Sequence, residues 1–211
     1  MNRPLTREEV PGLCFIVAGP SGVGKASLLR RLLDETPGLA LVHSLTTRPS
    51  RGDDAVLGKY QFVDLATFRR HIEDNDLLEW AQVHGHYYGT PLAQLRSAAQ
   101  TGADLVLELD YQGAAQAKPL LPDVVTIFIE PPDLEALSER MHKRGTEGSE
   151  EEIQVRLRTA QEELRHRGEF DYVILNDDFE KALAALRDIV AAERARAHRV
   201  VRRAEAGRSA G

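Results

Sequence analysis

A glycine-rich segment carries the strongest chemical signal in the sequence. It matches the pattern G-x-x-x-x-G-K, and it stands between an apolar run at residues 13–18 and an amphipathic helical pattern at residues 25–33. Glycines let backbone N–H groups turn around an anion, the helix N-terminus adds positive charge, and the lysine reaches the β- and γ-phosphates of a nucleotide. The alternative is a tight glycine turn that binds nothing. The residues of this predicted nucleotide site are Gly19, Pro20, Ser21, Gly22, Val23, Gly24, Lys25, Ala26 and Ser27.

The residue after the lysine departs from the usual pattern. A Ser or Thr normally stands there and places its hydroxyl on Mg²⁺, whereas this chain has Ala26, and its next hydroxyl is that of Ser27. Three interpretations stay open. The metal is held by phosphates and water alone, Ser27 contributes from a shifted position, or the segment binds ATP without turning it over. We expect Mg²⁺ to arrive as MgATP, and we leave its protein ligand open.

A second group of residues suits another phosphate. Arg48 and Arg51 lie three positions apart, and Tyr60 comes twelve residues after Arg48. Guanidinium groups form bidentate, charge-assisted bonds to phosphate, which favours a binding site here. The alternative is that Asp53 and Asp54 pair with the two arginines on a solvated loop.

Glu79 opens a segment, residues 79–90, that is rich in aromatic, histidine and glycine residues. A carboxylate can accept two N–H bonds from a guanine edge, which presents N1–H and the 2-amino group together, whereas adenine offers no such pair of donors. In isolation, Glu79 would more often be an ordinary charge at the end of a strand. Its place in the same region as the two arginines favours a guanine site.

Strands alternate with helices along most of the chain, which predicts an α/β fold with a parallel sheet and right-handed crossovers. Apolar runs predict further buried strands at residues 105–109, 124–129 and 172–175. Helical patterns cover residues 112–120, 133–143, 150–167 and 179–199. Residues 44–100 break this rhythm, with a polar loop at 46–58 and short strands at 60–63 and 79–83 around a helix at 65–75. We expect this irregular insertion to bind substrate.

The composition suits one soluble domain of 211 residues. The single Cys14 excludes an internal disulfide and a multi-cysteine zinc site. No apolar run approaches the roughly 18–20 residues that span a bilayer. The first ten residues lack the apolar stretch of a secretory signal. We therefore expect a cytoplasmic protein without membrane contact.

The C-terminal segment is basic, although the whole chain is acidic. From Arg194 onward the chain carries six arginines and one glutamate, while the net charge of all 211 residues is -6. A basic tail suits nucleic acid or a membrane surface, and the alternative is a solvated helix extension that binds nothing. The acidic body argues against nucleic acid as the main partner.

Together these residues resemble the guanylate kinase family, whose members move the γ-phosphoryl group of ATP onto GMP. The resemblance runs from about residue 13 to residue 192, with the motifs in the family's order. It implies a P-loop NTPase-type parallel sheet flanked by helices. Into this α/β core are inserted a mixed α/β GMP-binding region at about 44–100 and a short mobile lid at about 140–167. The core of this single domain, 1–211, would comprise residues 10–43, 101–139 and 168–199, followed by a basic tail at 200–211.

The resemblance also implies roles for individual residues. Around GMP, the phosphate would be held by Arg48, Arg51, Tyr60 and Tyr88, and the guanine by Ser44, Glu79, Thr90 and Asp110. Around ATP, residues 19–27 would be joined by Arg140, Arg144 and Asn176, the last beside the adenine. The catalytic residues would be Lys25, Arg48, Arg51, Arg144 and Arg156. Two departures from the family pattern are Glu108, where an aspartate is usual, and Gly52, which is displaced by one position.

The implied reaction converts ATP and GMP into ADP and GDP, with dGMP as a further acceptor, in purine nucleotide metabolism. It needs no strong general base, because the attacking phosphate oxygen is already ionised. The expected partners are ATP and GMP, without nucleic acid, and the oligomeric state stays open. The alternatives are another small-molecule kinase on the same scaffold, a phosphopeptide-binding module that has lost catalysis, and a nucleic-acid role of the tail.

Overall fold

The computed structural model describes residues 3–50, 58, 60–83, 85–143, 150–197 and 199–200. Its strands are β1 Cys14–Ala18, β2 Leu39–Leu41, β3 Ser44–Thr46, β4 Tyr60–Phe62, β5 Leu77–Val83, β6 His86–Pro91, β7 Asp104–Glu108, β8 Val124–Glu130 and β9 Tyr172–Leu175. Its helices are α1 Lys25–Glu35, α2 Leu65–Glu73, α3 Leu92–Ala99, α4 Tyr111–Ala117, α5 Leu134–Lys143, α6 Glu150–Arg165 and α7 Phe179–Arg194. None of the helices in these ranges combines the length and apolarity needed to cross a bilayer.

Five parallel strands form the central sheet in the order β2-β7-β1-β8-β9. Strand β1 lies at its centre and is buried along its whole length, which is why its sequence is continuously apolar rather than alternating. Phe15 and Val17 pack in the core that includes α1 and α7, whereas Cys14 and Ile16 pack in the core that includes α3 and α4. Helices therefore cover both faces of the sheet, as expected from the sequence.

The parallel arrangement brings chemically important segments to one edge of the sheet. Strand β1 leads into Gly19, β7 leads into Asp110, and β9 leads into Asn176. Ligands of open α/β folds bind at the carboxyl ends of the strands. The sheet thus places the phosphate loop between two other polar segments at its binding edge.

A second sheet has four strands in the order β4-β3-β6-β5, in which only β3 and β4 are parallel. Its small core consists of Leu45, Phe68 and Leu77, so that α2 packs on this sheet. Gln116 of α4 donates a hydrogen bond of 2.9 Å to the backbone oxygen of Trp80 in β5. This bond joins the second sheet to a helix of the central core.

Several boundaries differ from the sequence-based expectations. Helix α6 ends at Arg165 and is followed by a short 3-10 turn at Arg167–Glu169, and α7 ends at Arg194 rather than at residue 199. Strands β2, β3 and β6 and helix α3 were missed. Short segments with Ser, Gly or Pro show no clear period of two, and pairing with neighbouring strands decides their conformation. Thr46, expected in a loop, ends β3, and residues 51–57 of that loop lie outside the described residues.

Candidate active site

All three glycines of the loop between β1 and α1 have a positive φ. Gly19 has a φ of 140°, and Gly24, which caps α1, has a φ of 102°; side chains disfavour both values. A Cβ atom at Gly19 would also lie 2.1 Å from the carbonyl oxygen of Ile129. The loop backbone therefore packs directly on β8. The loop ends at the N-terminus of α1, which carries the positive end of the helix dipole.

Lys25 begins α1, and its ammonium group lies against the loop. Its Nζ donates hydrogen bonds to the carbonyl oxygens of Gly19 and Pro20, the second at 3.0 Å. Ser21 and Ser27 are exposed, whereas Ala26 is half-buried. The loop thus combines a cation with two exposed hydroxyls, and Ser27 is the hydroxyl on the first turn of α1.

Asn176 and Arg140 bind the backbone of the same loop. The buried Asn176 side chain donates to the carbonyl oxygen of Val23 at 2.7 Å. Arg140 donates to the backbone oxygen of Asn176 at 2.8 Å and to that of Val23 at 3.4 Å. Both residues were predicted to contact ATP, and the structure places both against the loop that would hold its phosphates.

Glu79 lies with Thr90 and Ser44 in a buried polar cluster on the second sheet. The Thr90 hydroxyl donates to Oε1 of Glu79 at 2.6 Å, and it lies 3.3 Å from the hydroxyl of Ser44. Burial raises the pKa of Glu79 from 4.5 to about 7, with a smaller contribution from the negative charge of Asp110, although the bond from Thr90 opposes the shift. Three of the four residues predicted around a guanine are therefore in one place.

Asp110 lies between this cluster and the phosphate loop. Its side chain caps α4 by accepting a bond of 2.7 Å from the backbone N–H of Gly113. A Cβ at Gly113 would lie 2.7 Å from Oε2 of Glu79 and 3.2 Å from Oδ1 of Asp110, so both carboxylates flank this glycine. Burial raises the pKa of Asp110, whereas the bond from Gly113 and the charge of Lys25 lower it. Asp110 is thus electrostatically coupled to both halves of the site.

Arg48 and two tyrosines lie together beside the Glu79 cluster. The guanidinium of Arg48 lies 5.5 Å from the ring centre of Tyr60, and the rings of Tyr60 and Tyr88 are 5.8 Å apart. Arg48 is buried and donates to the backbone oxygen of Pro49 at 2.8 Å. Strand β3 carries Ser44 and leads into Arg48, and β6 carries both Tyr88 and Thr90. Two neighbouring strands therefore hold the predicted phosphate and guanine groups side by side.

Three of the predicted catalytic arginines are not among the residues that the structure brings together at the site. Arg51 and Arg144 lie outside the described residues, as do Asp53 and Asp54. Arg156 lies half-buried on α6.

Glu163 was missed by the sequence analysis. It lies on α6 with only 7% of its surface exposed, on the same helix as the buried Ile153 and Ala160. Burial raises its pKa to about 7, the positive charge of Lys25 lowers it, and the charge of Asp110 raises it. A glutamate three residues after Ala160, within the apolar period of the helix, was the available signal.

The fold and these contacts define a class of protein. A glycine-rich phosphate loop leads into a helix that begins at its lysine, at the carboxyl edge of a parallel sheet. A second site, with buried carboxylates and an arginine, adjoins it, and its Asp110 interacts electrostatically with Lys25. Two adjacent sites, one for a nucleoside triphosphate and one for an acceptor with a base and a phosphate, are the arrangement of a P-loop phosphotransferase.

Comparisons with known proteins identify the family. A family model described as guanylate kinase matches residues 13–193. Guanylate kinase from Aromatoleum aromaticum is 46% identical over 187 residues, which cover 89% of this chain and 91% of that protein. Guanylate kinase from Methylobacillus flagellatus is 47% identical over 185 residues, covering 88% and 91%. A crystal structure of guanylate kinase from Anaplasma phagocytophilum has a TM-score of 0.73 and 30% identity over 89% of both chains. The chain belongs to the guanylate kinase family.

Family membership confirms three of the sequence-based expectations. The resemblance itself is correct, the fold is the expected α/β fold with a parallel sheet, and the chain is a nucleoside monophosphate kinase by family. The expected reaction class, ATP-dependent phosphorylation of GMP to GDP, is supported by relatives that match nearly the whole chain.

Proposed function

We propose that the described site transfers the γ-phosphoryl group of ATP to GMP in this chain, and also to dGMP. One observation carries this proposal. Asp110 follows β7, the parallel neighbour of the strand β1 that leads into the Lys25 loop, and its carboxylate and that of Glu79 flank Gly113. A donor phosphate at the loop and a nucleotide at the cluster would therefore lie in one continuous site.

Glu79 would select guanine as the acceptor base. Its ionised carboxylate would accept the N1–H and the 2-amino group. The hydroxyl of Thr90, which contacts that of Ser44, donates to this carboxylate in a buried setting. Burial disfavours the ionised carboxylate when no ligand is present, because it removes the water that would solvate the charge. A base that supplies two hydrogen-bond donors replaces this lost hydration. Adenine lacks this pair of donors and would leave the carboxylate unpaired.

The acceptor phosphate would lie at Arg48, Tyr60 and Tyr88, with Arg51 as a second guanidinium. Arg48 is positioned by its bond to Pro49 and by the ring of Tyr60, so its charge is held in place before the substrate arrives. A cation fixed in this way stabilises the charge of the transition state without further rearrangement. In this proposal, residues 44–100 form the acceptor-binding region.

The donor would lie on residues 19–27, with Lys25 at its phosphates and Asn176 and Arg140 fixing the loop. Arg144 and Arg156, in the proposed lid at residues 140–167, would complete the cationic surroundings. Mg²⁺, bound mainly by phosphate oxygens and water, would neutralise phosphate charge, and the exposed Ser27 is the hydroxyl of α1 that suits it. The described residues offer no group of three or more acidic, histidine or cysteine side chains for a metal.

The chain's own residues would act by alignment and charge neutralisation. The acceptor phosphate oxygen is already ionised, so no residue needs to remove a proton. Lys25, Arg48 and Arg51 would surround the transferring group, and exclusion of water would prevent hydrolysis. Because its substrates are ATP and GMP, we place this activity in the cytoplasm.

A coupled assay of ADP formation tests the proposal with GMP, AMP, CMP, UMP and a ribose bisphosphate as acceptors. We expect GMP to be strongly preferred. Glu79→Gln should lower kcat/KM for GMP about ten- to a hundredfold, since a charged hydrogen bond is lost. The exposed Glu73 of α2 gives the control Glu73→Gln, which should leave kcat/KM unchanged. Equal use of GMP and AMP by the unmodified protein would refute the assignment.

A further inference from the structure

Glu163 is a buried carboxylate that the proposed reaction does not yet use. Its Oε2 atom is buried without a hydrogen-bond donor among the residues that the structure describes. Native proteins rarely leave a buried polar atom unpaired, because its lost hydration is not replaced. Such an atom beside a binding site therefore indicates a donor that arrives with a ligand.

A pocket adjoins Glu163. Its volume is about 240 Å³, several times the roughly 30 Å³ that one water occupies in the liquid, so it can admit a sugar ring. Three elements form its walls: the end of β5, the start of α4 and the C-terminal half of α6. The lining residues are Gln82, Val83, Asp110, Tyr111, Gln112, Thr159, Glu162 and Glu163.

Asp110 joins this pocket to the Glu79 cluster. It lines the pocket. Its carboxylate and that of Glu79 lie on either side of Gly113, where a Cβ atom would be 3.2 Å from Oδ1 of Asp110 and 2.7 Å from Oε2 of Glu79. Guanosine carries its 2-amino group, N3 and ribose 2′-hydroxyl in this order along one edge. A guanine that donates its N1–H and 2-amino group to Glu79 therefore directs its 2′-hydroxyl past Asp110. We propose that Glu163 accepts a hydrogen bond from this 2′-hydroxyl and thereby favours ribonucleotide over deoxyribonucleotide acceptors.

The charges around the pocket select this kind of ligand. Carboxylates of Asp110, Glu162 and Glu163 line it, and they repel a phosphate. The nearby cation of Lys25 is hydrogen-bonded to the carbonyl oxygens of Gly19 and Pro20. Within the described ranges, no cluster of three or more ligand side chains is arranged for a metal ion. A neutral hydroxyl supplies a donor without adding charge, and the raised pKa of Glu163 is consistent with a carboxyl that gains from such a donor.

This inference rests on the proposed function, and its test separates the two. Binding of GMP and of dGMP to the full chain is measured by titration calorimetry, and kcat/KM is measured for both acceptors with ATP. The variants are Glu163→Gln and Glu163→Ala, and Glu151→Gln is the matched control, since Glu151 lies on the same helix but is exposed and does not line the pocket. Thermal unfolding of each variant verifies that it is folded.

We expect the unmodified protein to bind GMP about tenfold more tightly than dGMP. Glu163→Ala should reduce the affinity and kcat/KM for GMP about tenfold and change those for dGMP less than about twofold, which matches the loss of one hydrogen bond. Glu163→Gln keeps an acceptor oxygen, so its effect should be smaller than that of Glu163→Ala. Glu151→Gln should retain the preference of the unmodified protein.

Two results would overturn the inference while leaving the proposed function intact. One is equal binding of GMP and dGMP by the unmodified protein. The other is an equal loss for both acceptors in the Glu163 variants, which would indicate a purely structural role. If the unmodified protein phosphorylates neither acceptor, the proposed function fails, and the inference fails with it.

Discussion

Folding buries the carboxyl group of Glu79 and so disfavours its ionised form, which makes the stability of the protein depend on pH. Burial raises its pKa from 4.5 to about 7. A carboxyl whose pKa is raised by folding contributes stability that is present below pH 4.5 and is lost as the pH rises through 7. We expect this group to lower the free energy of unfolding by about 1–3 kcal/mol over that interval. Urea unfolding of the free protein and of Glu79→Gln at several pH values measures it.

The comparison isolates Glu79, because Glu163 contributes to the pH dependence of both proteins in the same direction. The glutamine variant keeps a side-chain oxygen for the hydroxyl of Thr90 but does not ionise. Its stability should therefore exceed that of the unmodified protein above pH 7 and approach it below pH 5. Parallel stability curves for the two proteins would show that the environment of Glu79 is wrongly described.

Ala26 provides a second prediction at the residue scale. Ala26→Ser adds a hydroxyl directly after Lys25, where Mg²⁺ of a bound nucleotide is expected. We expect the apparent Mg²⁺ affinity to rise by on the order of 1 kcal/mol, or about fivefold, with little change in rate at saturating metal. Ser27→Ala, the comparison on the same helical turn, should lower the apparent Mg²⁺ affinity. A titration of GDP formation against Mg²⁺ decides this. Turnover that appears only in Ala26→Ser would mean that the natural site binds ATP without catalysis.

At the scale of elements, the phosphate loop is held by two neighbouring segments: Asn176 follows β9, and Arg140 lies on α5. Asn176 bonds to the carbonyl oxygen of Val23 at 2.7 Å, and it lies against Gly24. Asn176→Ala would leave a buried carbonyl with one fewer donor and would loosen the loop, at a cost of about 1–2 kcal/mol in stability. We expect the dissociation constant for ATP, measured by calorimetry, to rise severalfold. The exposed neighbour Asp177 offers the control Asp177→Ala, and equal effects of the two substitutions would refute a role of Asn176 in holding the loop.

The central elements were predictable because burial on both faces leaves a plain mark in the sequence. Strand β1 is a continuous apolar run, and its loop has the glycines that its backbone requires. Strand β6 was not predictable, since Gly89 and Pro91 disfavour strands and its conformation depends on pairing with β3 and β5. Glu163 illustrates the same limit for the site. Helical spacing can place it near an apolar face, but only the packed structure brings it close to Asp110 and Lys25.

At the scale of the whole molecule, the two edges of the central sheet have different tasks. The carboxyl edge carries Gly19, Asp110 and Asn176, as described above. The amino edge holds Asp104, the first residue of β7, which is only 2% exposed. Asp104 accepts bonds from the backbone N–H of Leu13 at 2.8 Å and from Arg194 of α7 at 2.7 Å. This pair fastens the last long helix to two central strands, away from the binding edge.

Arg194→Met should therefore lower stability without impairing catalysis. The substitution keeps most of the apolar stem but removes the ion pair and hydrogen bond between Arg194 and the buried carboxylate of Asp104, and we expect a loss of about 2–3 kcal/mol in the free energy of unfolding. The control is Arg187→Met on the same helix, where an exposed pair with Glu35 at 2.8 Å should contribute less than about 1 kcal/mol. Urea unfolding measures both variants, and kcat for GMP phosphorylation at 25 °C should stay within about twofold of the unmodified protein, because neither residue lies at the carboxyl edge. Equal losses of stability in the two variants would refute the role of the Asp104 pair, and a large loss of kcat in folded Arg194→Met would show that the two edges of the sheet are coupled.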